Sequence, residues 1–337
     1  MKERTTRALE EVLKTIPQLD YPCMSRIHPL KTYDIPNLNC YVKRDDELGF
    51  GISGSKFRKY RSLIPHILNN RFDEVAIIGG PTSNNVLGLS QLLIENRIPF
   101  HLFLREGYNK TDAGNGLWIK LLADAPIATG ITLVPRNDWN HVDKFADIYR
   151  QNALQHNKRV LVLPEGASIA ESLPGALSLP VDIARNEQEF GVAFDHIFME
   201  SGTGLSVSAL ILGYAWMLRK TQIHVILLAG DKSSFRSQLE RFHQAFQNLM
   251  GDQLPLPENF KLHFPVNAAS FGSVNAQVFD TIRTLAQSEG FLTDPIYSAK
   301  LFSEAKHILH TGTYAGNALL IHSGGAFTLA TYQNKLQ

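Results

Sequence analysis

The chain has 337 residues, 44% of them apolar and 19% charged, with 24 glycines and 16 prolines spread along it. That composition is globular, excludes disorder and collagen-like repeats, and gives length for one large or two modest domains. Thirty-three basic side chains against thirty-two acidic ones leave a formal charge of +1, so no global field draws phosphate backbones or anionic lipid, and neither nucleic acid nor a membrane surface is an expected partner.

The N-terminal segment MKERTTRALEEVLKTIPQL is charged and amphipathic, without the continuous apolar core of a secretory signal. No later stretch reaches the ~18 uninterrupted apolar residues of a spanning helix. The only cysteines, Cys23 and Cys40, fit neither a disulfide scaffold nor a CxxC metal site. These features predict a reducing, cytoplasmic location. From about residue 74, short β-rich runs alternate with helix-period segments, the pattern of parallel α/β architecture. The spacing predicts strands at Glu74–Ile78, Phe100–Leu104, Ile131–Val134 and Val160–Leu163. Helices are predicted between them, over Val86–Arg97, near Trp118–Leu122 and around Val142–Tyr149. A second series follows: strand His196–Met199, loop SGTG, helix Leu205–Leu218 and strand His224–Leu228. Helices near Phe235–Leu249 and Val278–Ser288 and a last strand at Leu319–Ile321 complete the reading, so two wound sheets are expected. Around residue 160 no Pro/Gly/Ser-rich linker separates the halves.

Four constellations carry chemistry. In GFGISGSKFRKYRSLIPHIL, Lys56 opens a helix whose apolar positions Phe57, Tyr60, Leu63, Ile64 and Ile67 face one way. The positive end of the helix dipole disfavours an ammonium there, which helps keep the amine neutral and nucleophilic, as a Schiff-base lysine must be. Lys59 shares that face within a turn and could meet an anion; a solvated first-turn charge pair fits the same spacing. In GGPTSNN, a helix starting near Ser83 or Asn84 aims free backbone N–H groups at the crevice beyond the strand. Ser83, Asn84 and Asn85 could hydrogen-bond a carboxylate or phenolic oxygen there, or simply cap the helix. In SGTGLS, Gly202 and Gly204 permit close approach of a phosphate, with Thr203 and Ser206 adding hydroxyls. Val207 occupies the third glycine position of GxGxxG and no GK follows, so a dinucleotide fingerprint and a Walker loop are both disfavoured, while a plain strand-to-helix turn stays open. The fourth constellation is DPIYSAK at 294–300 with ALLIHSGGAF at 318–327, which places Ser323 at a strand's C-terminal edge and offers the Tyr297 phenol. Tyr297 also reads as a half-buried aromatic and His322 as a satisfied core imidazole. No histidine has HExxH or comparable spacing, so no metal site is expected.

Taken in order, YVKRDDELGFGISGSKFRKY, GGPTSNN, SGTGLS, GFLTDPIYSAK and HSGGAF resemble the pyridoxal-phosphate-dependent family of D-cysteine desulfhydrase and 1-aminocyclopropane-1-carboxylate deaminase, from roughly Tyr41 to Tyr332. The resemblance implies an α/β fold of the tryptophan-synthase-β type (pyridoxal-phosphate fold type II), with two open twisted-sheet domains. The larger, cofactor-binding domain would be 1–54 plus 161–337, the smaller inserted one 55–160. A small amino-acid substrate and a homodimer are implied too. By the same resemblance Lys56 is the cofactor lysine and base, and Lys59 with Gly202, Thr203, Gly204, Leu205 and Ser206 holds the cofactor phosphate. Asn84 would touch the ring and, with Ser83, Asn85, Tyr297 and Ser298, the substrate, Ser83 and Tyr297 acting in catalysis; Ser323 would lie beside the pyridine ring.

Two positions divide the family. Members that open the cyclopropane ring have Glu after the DPxY tyrosine and Leu before the GG pair, where this chain has Ser298 and Ser323. A carboxylate keeps a pyridine nitrogen protonated and the electron sink strong, which a hydroxyl cannot do alike. The milder sink suits loss of a thiolate from the β-carbon, so the reading is elimination from D-cysteine to pyruvate, sulfide and ammonia. Ring-opening deamination to 2-oxobutanoate and ammonia is the rival within the family, a non-catalytic small-molecule binding protein the rival outside it. A nicotinamide dehydrogenase ranks last. The chain departs from the family at SGSK, usually GGNK, and at TSNN, usually QSNH, which alters contacts to cofactor and substrate.

Overall fold

The computed structural model of the chain describes residues 4–51, 54–107 and 113–336; Ser53 of the SGSK departure lies outside them. Its elements run α1 (Thr6–Lys14), β1 (Ile27–Pro29), β2 (Leu38–Lys43), α2 (Lys56–Asn69), β3 (Glu74–Gly79), α3 (Asn84–Glu95), β4 (Phe100–Arg105), α4 (Gly114–Ala123), β5 (Ala128–Val134), α5 (Val142–Gln155) and β6 (Val160–Leu163). They continue with α6 (Leu173–Ala176), α7 (Ser178–Phe190), β7 (His196–Ser201), α8 (Leu205–Trp216), β8 (Gln222–Leu227), α9 (Lys232–Met250), β9 (Phe260–His263), α10 (Ala276–Glu289), α11 (Ser298–Thr311), β10 (Gly316–Ile321) and α12 (Gln333–Leu336).

Two sheets form. The first has the order β1-β2-β10-β7-β8-β9 and is parallel except for the antiparallel β1–β2 pair; the second, β5-β4-β3-β6, is wholly parallel. Strands covered on both faces need continuous apolar runs, and β3 is buried at all six positions, as Glu-Val-Ala-Ile-Ile-Gly allows once Glu74 accepts from Thr129 and Tyr149. β5, at an edge, instead alternates half-buried with exposed.

Alternation along β7 sorts its side chains between two cores. Ile197 and Met199 join the core built with α7, α8 and α9, while Phe198 faces the opposite core, with Leu301, Phe302 and Ala305 of α11. The small sheet carries cores on both faces as well. The short turns from β3 to α3 and from β7 to α8, and the segment after β10, all leave their sheets at C-terminal strand ends, where open α/β sheets place ligands.

Candidate active site

Lys56 is the first residue of α2, and α2 begins where it does because the preceding backbone is locked to the end of β10. Gly54 has φ +52°, and a Cβ there would lie 1.9 Å from the Ser323 carbonyl oxygen; only glycine allows both the left-handed backbone and this approach. The Ser55 N–H donates to that same carbonyl at 3.0 Å. Below, the Ser55 hydroxyl donates to Asp45 at 3.0 Å, and the Arg58 guanidinium spans Asp45 (2.6 Å) and Asp182 (2.7 Å). Lys43 completes this buried network by donating to Asp182, Asn186 and the Ser25 carbonyl. Burial alone would raise the Asp45 carboxyl, but Arg58 and then Lys43 bring it down to about 2, so it stays charged.

The Lys56 amine therefore enters the site from a fixed helix start. Burial lowers its pKa, and the negative charges of Glu200 and Asp294 only partly offset that. Its Nζ lies 5.3 Å from the centroid of the Tyr297 ring. Tyr297 in turn reaches the glycine turn: a Cβ on Gly202 would sit 3.3 Å from the ring's Cε1. Burial, then Asp294, Glu165 and Glu200, push the Tyr297 phenol far up, so it holds its proton at neutral pH.

One turn along α2, Lys59 is buried, and its Nζ donates to the Gly166 carbonyl. Burial, then the adjacent Lys56, take its pKa well below that of a free lysine. Among the described residues no carboxylate pairs with it. Gly166 packs on Thr203, whose Oγ1 would be 2.4 Å from a Cβ at 166, and the Ser168 hydroxyl donates to the Thr203 carbonyl at 3.3 Å. Lys59 thus stands beside the turn Gly202–Gly204 that opens α8, a helix whose N-terminus no side chain caps. A buried amine with no carboxylate partner among the described residues, next to uncapped helical N–H groups, gains a charge partner when an anion binds, and a phosphate meets both demands. Leu205 is buried in the large core while Ser206 remains half-buried in the first helical turn.

Ser83 is the N-cap of α3, its oxygen accepting from the N–H groups of Asn85 (3.1 Å) and Val86 (3.3 Å). Capping uses lone pairs and leaves the hydroxyl proton to give. Asn84 is buried, its carbonyl oxygen accepting from Asn115 at 2.6 Å, with its amide nitrogen 2.8 Å from where a Cβ on Gly325 would be. Asn85 faces α2 instead: Tyr60 donates to its side-chain oxygen at 2.9 Å, and its side-chain amide nitrogen is buried with no partner among the described residues.

The DPxY segment is built on Asp294, fully buried, which accepts from the N–H groups of Ile296, Tyr297 and Ser298 and from the Ser298 hydroxyl at 2.8 Å. Ser298 also accepts from the Asp294 N–H at 2.8 Å. Its hydroxyl therefore closes the start of α11, and its single proton is given to Asp294. His322 is fully buried, its Nε2–H donating to the Leu292 carbonyl at 3.0 Å and its Nδ1 accepting from Gly324 at 3.2 Å, a satisfied core imidazole against Phe291 and Phe302.

One residue escapes the sequence reading. Glu200, the penultimate residue of β7, is 7% exposed, and its Oε2 has no hydrogen-bond partner among the described residues. Burial raises its carboxyl to about 7, with a hydrogen bond from Ser323 and the charge of Lys56 working the other way. An acid directly after the apolar run Ile-Phe-Met of β7, just before the glycine turn, is the signal that could have found it.

No protein-family model matches the chain. It is 25% identical over 333 residues to the 1-aminocyclopropane-1-carboxylate deaminase of Cyberlindnera saturnus, covering 92% of this chain and 93% of that one. With the mitochondrial bifunctional D-cysteine desulfhydrase/1-aminocyclopropane-1-carboxylate deaminase of Arabidopsis thaliana it shares 22% over 308 residues, 86% of this chain and 73% of that one. Among solved structures, that of an ACC deaminase homologue superposes with a TM-score of 0.85 at 23% identity over 98% of each chain. A pyridoxal 5'-phosphate-dependent aspartate racemase superposes with a TM-score of 0.60 at 11% identity over 96% of each. The fold is the expected one, pyridoxal-phosphate fold type II. Among the described residues no helix is long and apolar enough to cross a membrane.

Proposed function

We infer that this chain, a relative of the D-cysteine desulfhydrases and 1-aminocyclopropane-1-carboxylate deaminases, is a pyridoxal-phosphate-dependent lyase of small amino acids that converts D-cysteine and water to pyruvate, sulfide and ammonia. The observation that carries the reading is the pair of desolvated amines on one face of α2: Lys56 beside the Tyr297 ring, and Lys59, with no carboxylate partner among the described residues, beside the uncapped turn of α8. An aldehyde coenzyme with a phosphate tail needs such a pair. The residues fit it. Lys56 would hold the aldehyde carbon, Lys59 and Gly202–Ser206 the phosphate, and Asn84 and Ser323 the ring.

Bound there, the coenzyme supplies the electron sink for the pair left when the substrate's α-proton departs. The chain's own part is orientation and proton movement. Lys56, its pKa lowered, takes the α-proton at Nζ, and that proton makes good the one the Tyr297 phenol gives to the departing sulfur. Ser83 keeps a proton to give a substrate carboxylate, assisted by the N-terminus of α3. Tyr297, protonated and packed between Lys56 and Gly202, walls off water and can donate to the departing sulfur.

Serines at 298 and 323, where the ring-opening members carry Glu and Leu, support D-cysteine. A second reading, ring-opening deamination to 2-oxobutanoate and ammonia, is favoured by one observation, the Glu200 carboxyl beside Ser323, an acid of the sort that a stronger sink requires. Parallel assays separate them: pyruvate from D-cysteine exceeding 2-oxobutanoate from the cyclic amino acid is expected, and the reverse order overturns the choice. Lys56→Ala should lose both activities to background. The reading includes a homodimer in the cytoplasm; exposed Leu117, Trp118 and Leu121 on α4 offer an apolar surface for a second copy, which sedimentation of the purified protein would register.

A further inference from the structure

We propose that Glu200 acts through the Ser323 hydroxyl as a positioning residue that sets the protonation of the coenzyme's ring nitrogen. The inference rests on the coenzyme reading above and assigns a role to a residue outside the motifs that support it. Glu200 and Ser323 come from adjacent parallel strands: Leu320 pairs with Phe198, so β7 and β10 deliver both residues to the same sheet edge. Ser323 lies just beyond β10, with its carbonyl fixed by Ser55, so its side chain is held next to the start of α2 and Lys56.

The carboxyl is nine-tenths buried, and its Oε2 has no partner among the described residues. A buried acid with a vacant oxygen is costly unless a ligand uses it. The groups that face it are Lys56 from α2, Asp294 and Tyr297 from the start of α11, and Ser323. Asp294 is already saturated by three backbone N–H groups and Ser298, and no ion pair within 4 Å joins Glu200 to Lys56 among the described residues. Glu200 is therefore the acid left for a basic ring nitrogen laid over these strand ends. When ionised, Glu200 accepts the Ser323 proton, which leaves the Ser323 oxygen as an acceptor for a ring N–H. When protonated, Glu200 gives its proton to the Ser323 oxygen, and the Ser323 hydroxyl can donate to a bare ring nitrogen. Either way the hydroxyl that resemblance places by the ring inherits the state of a carboxyl one strand away.

The test uses full-length protein loaded with pyridoxal phosphate carrying ¹⁵N in the ring, read by the nitrogen chemical shift and the visible spectrum from pH 6 to 9. In the wild type the bound nitrogen should move from near its unprotonated position at pH 6, where Glu200 holds a proton, toward its protonated position at pH 9; in Glu200→Gln it should stay near the unprotonated position throughout, and Glu200→Asp should restore much of the movement. Ser323→Ala should behave as Glu200→Gln does, and the double variant should add nothing further. Additive shifts, or Glu200→Gln superimposable on wild type with a Lys56-dependent bound signal in both, overturn the relay alone. Absence of any Lys56-dependent bound signal in the wild type overturns the coenzyme reading and the relay together.

Discussion

At the scale of single residues, the site is an exercise in who keeps a proton. Lys56 and Lys59 are pulled down by burial, Tyr297 is pushed up, and Glu200 is raised to about 7. The Glu200 shift has a sign that can be measured without the coenzyme. Its folded pKa exceeds the 4.5 of a free glutamate, so between those values the folded state holds a proton that the unfolded state has lost. The apoprotein's stability should thus fall as pH rises from 4.5 to about 7, by roughly 3 kcal/mol from this group. Urea unfolding across that window should show the slope in wild type and a flatter line in Glu200→Gln; parallel slopes would remove Glu200 from the account. The serine at 298 teaches the opposite lesson. Its place after the DPxY tyrosine is legible in the sequence, but not that Asp294 takes its hydroxyl proton, because that depends on how one tight turn closes in space.

At the scale of elements, α2 is the part that must not move. Its first turn is held by a network of Lys43, Asp45, Arg58 and Asp182, each under a tenth exposed. Removing one member leaves charges buried without partners, so Arg58→Met should cost about 3–5 kcal/mol in urea unfolding, and a loss below about 1 kcal/mol would show the network to be dispensable. The helix itself was readable from its apolar spacing, as were β3, β4, β6, α3 and α8, all strongly periodic or continuously apolar. β1, β2 and β9 were not. β1 has three residues and ends in proline, β2 carries Asn39 and the network's Lys43, and β9 is half polar, so none shows the run or alternation of a strand. α7 escaped for a related reason: Asp182 and Asn186 lie on its buried face because they serve the network rather than the apolar core. α11 carries a legible apolar face at Leu301, Phe302, Ala305 and Leu309, with the polar DPIYSAK motif occupying its first turn.

At the scale of the whole molecule, two sheets are joined by contacts between groups from distant parts of the chain, Gly54 on Ser323, Asn84 on Gly325 and Lys56 on Tyr297. β3 and α3 of the small sheet supply Ser83 and Asn84; β7, β10 and α8 of the large sheet supply Glu200, Ser323 and the glycine turn. α2, bridging them through the Gly54–Ser323 contact, supplies both lysines. The order of motifs reveals that assembly in outline, since GGPTSNN, SGTG and SGGAF each follow a strand. Which carboxyl would lie among them was not revealed, since Glu200 depends on the register of β7 against β10. The central claim is that this assembly exists to hold an aldehyde coenzyme on one nitrogen. Incubating the full chain with pyridoxal phosphate, reducing with borohydride and mapping the peptides by mass should find the pyridoxyl group on Lys56 and no other lysine; an unmodified Lys56, or a label spread over surface lysines, would contradict it.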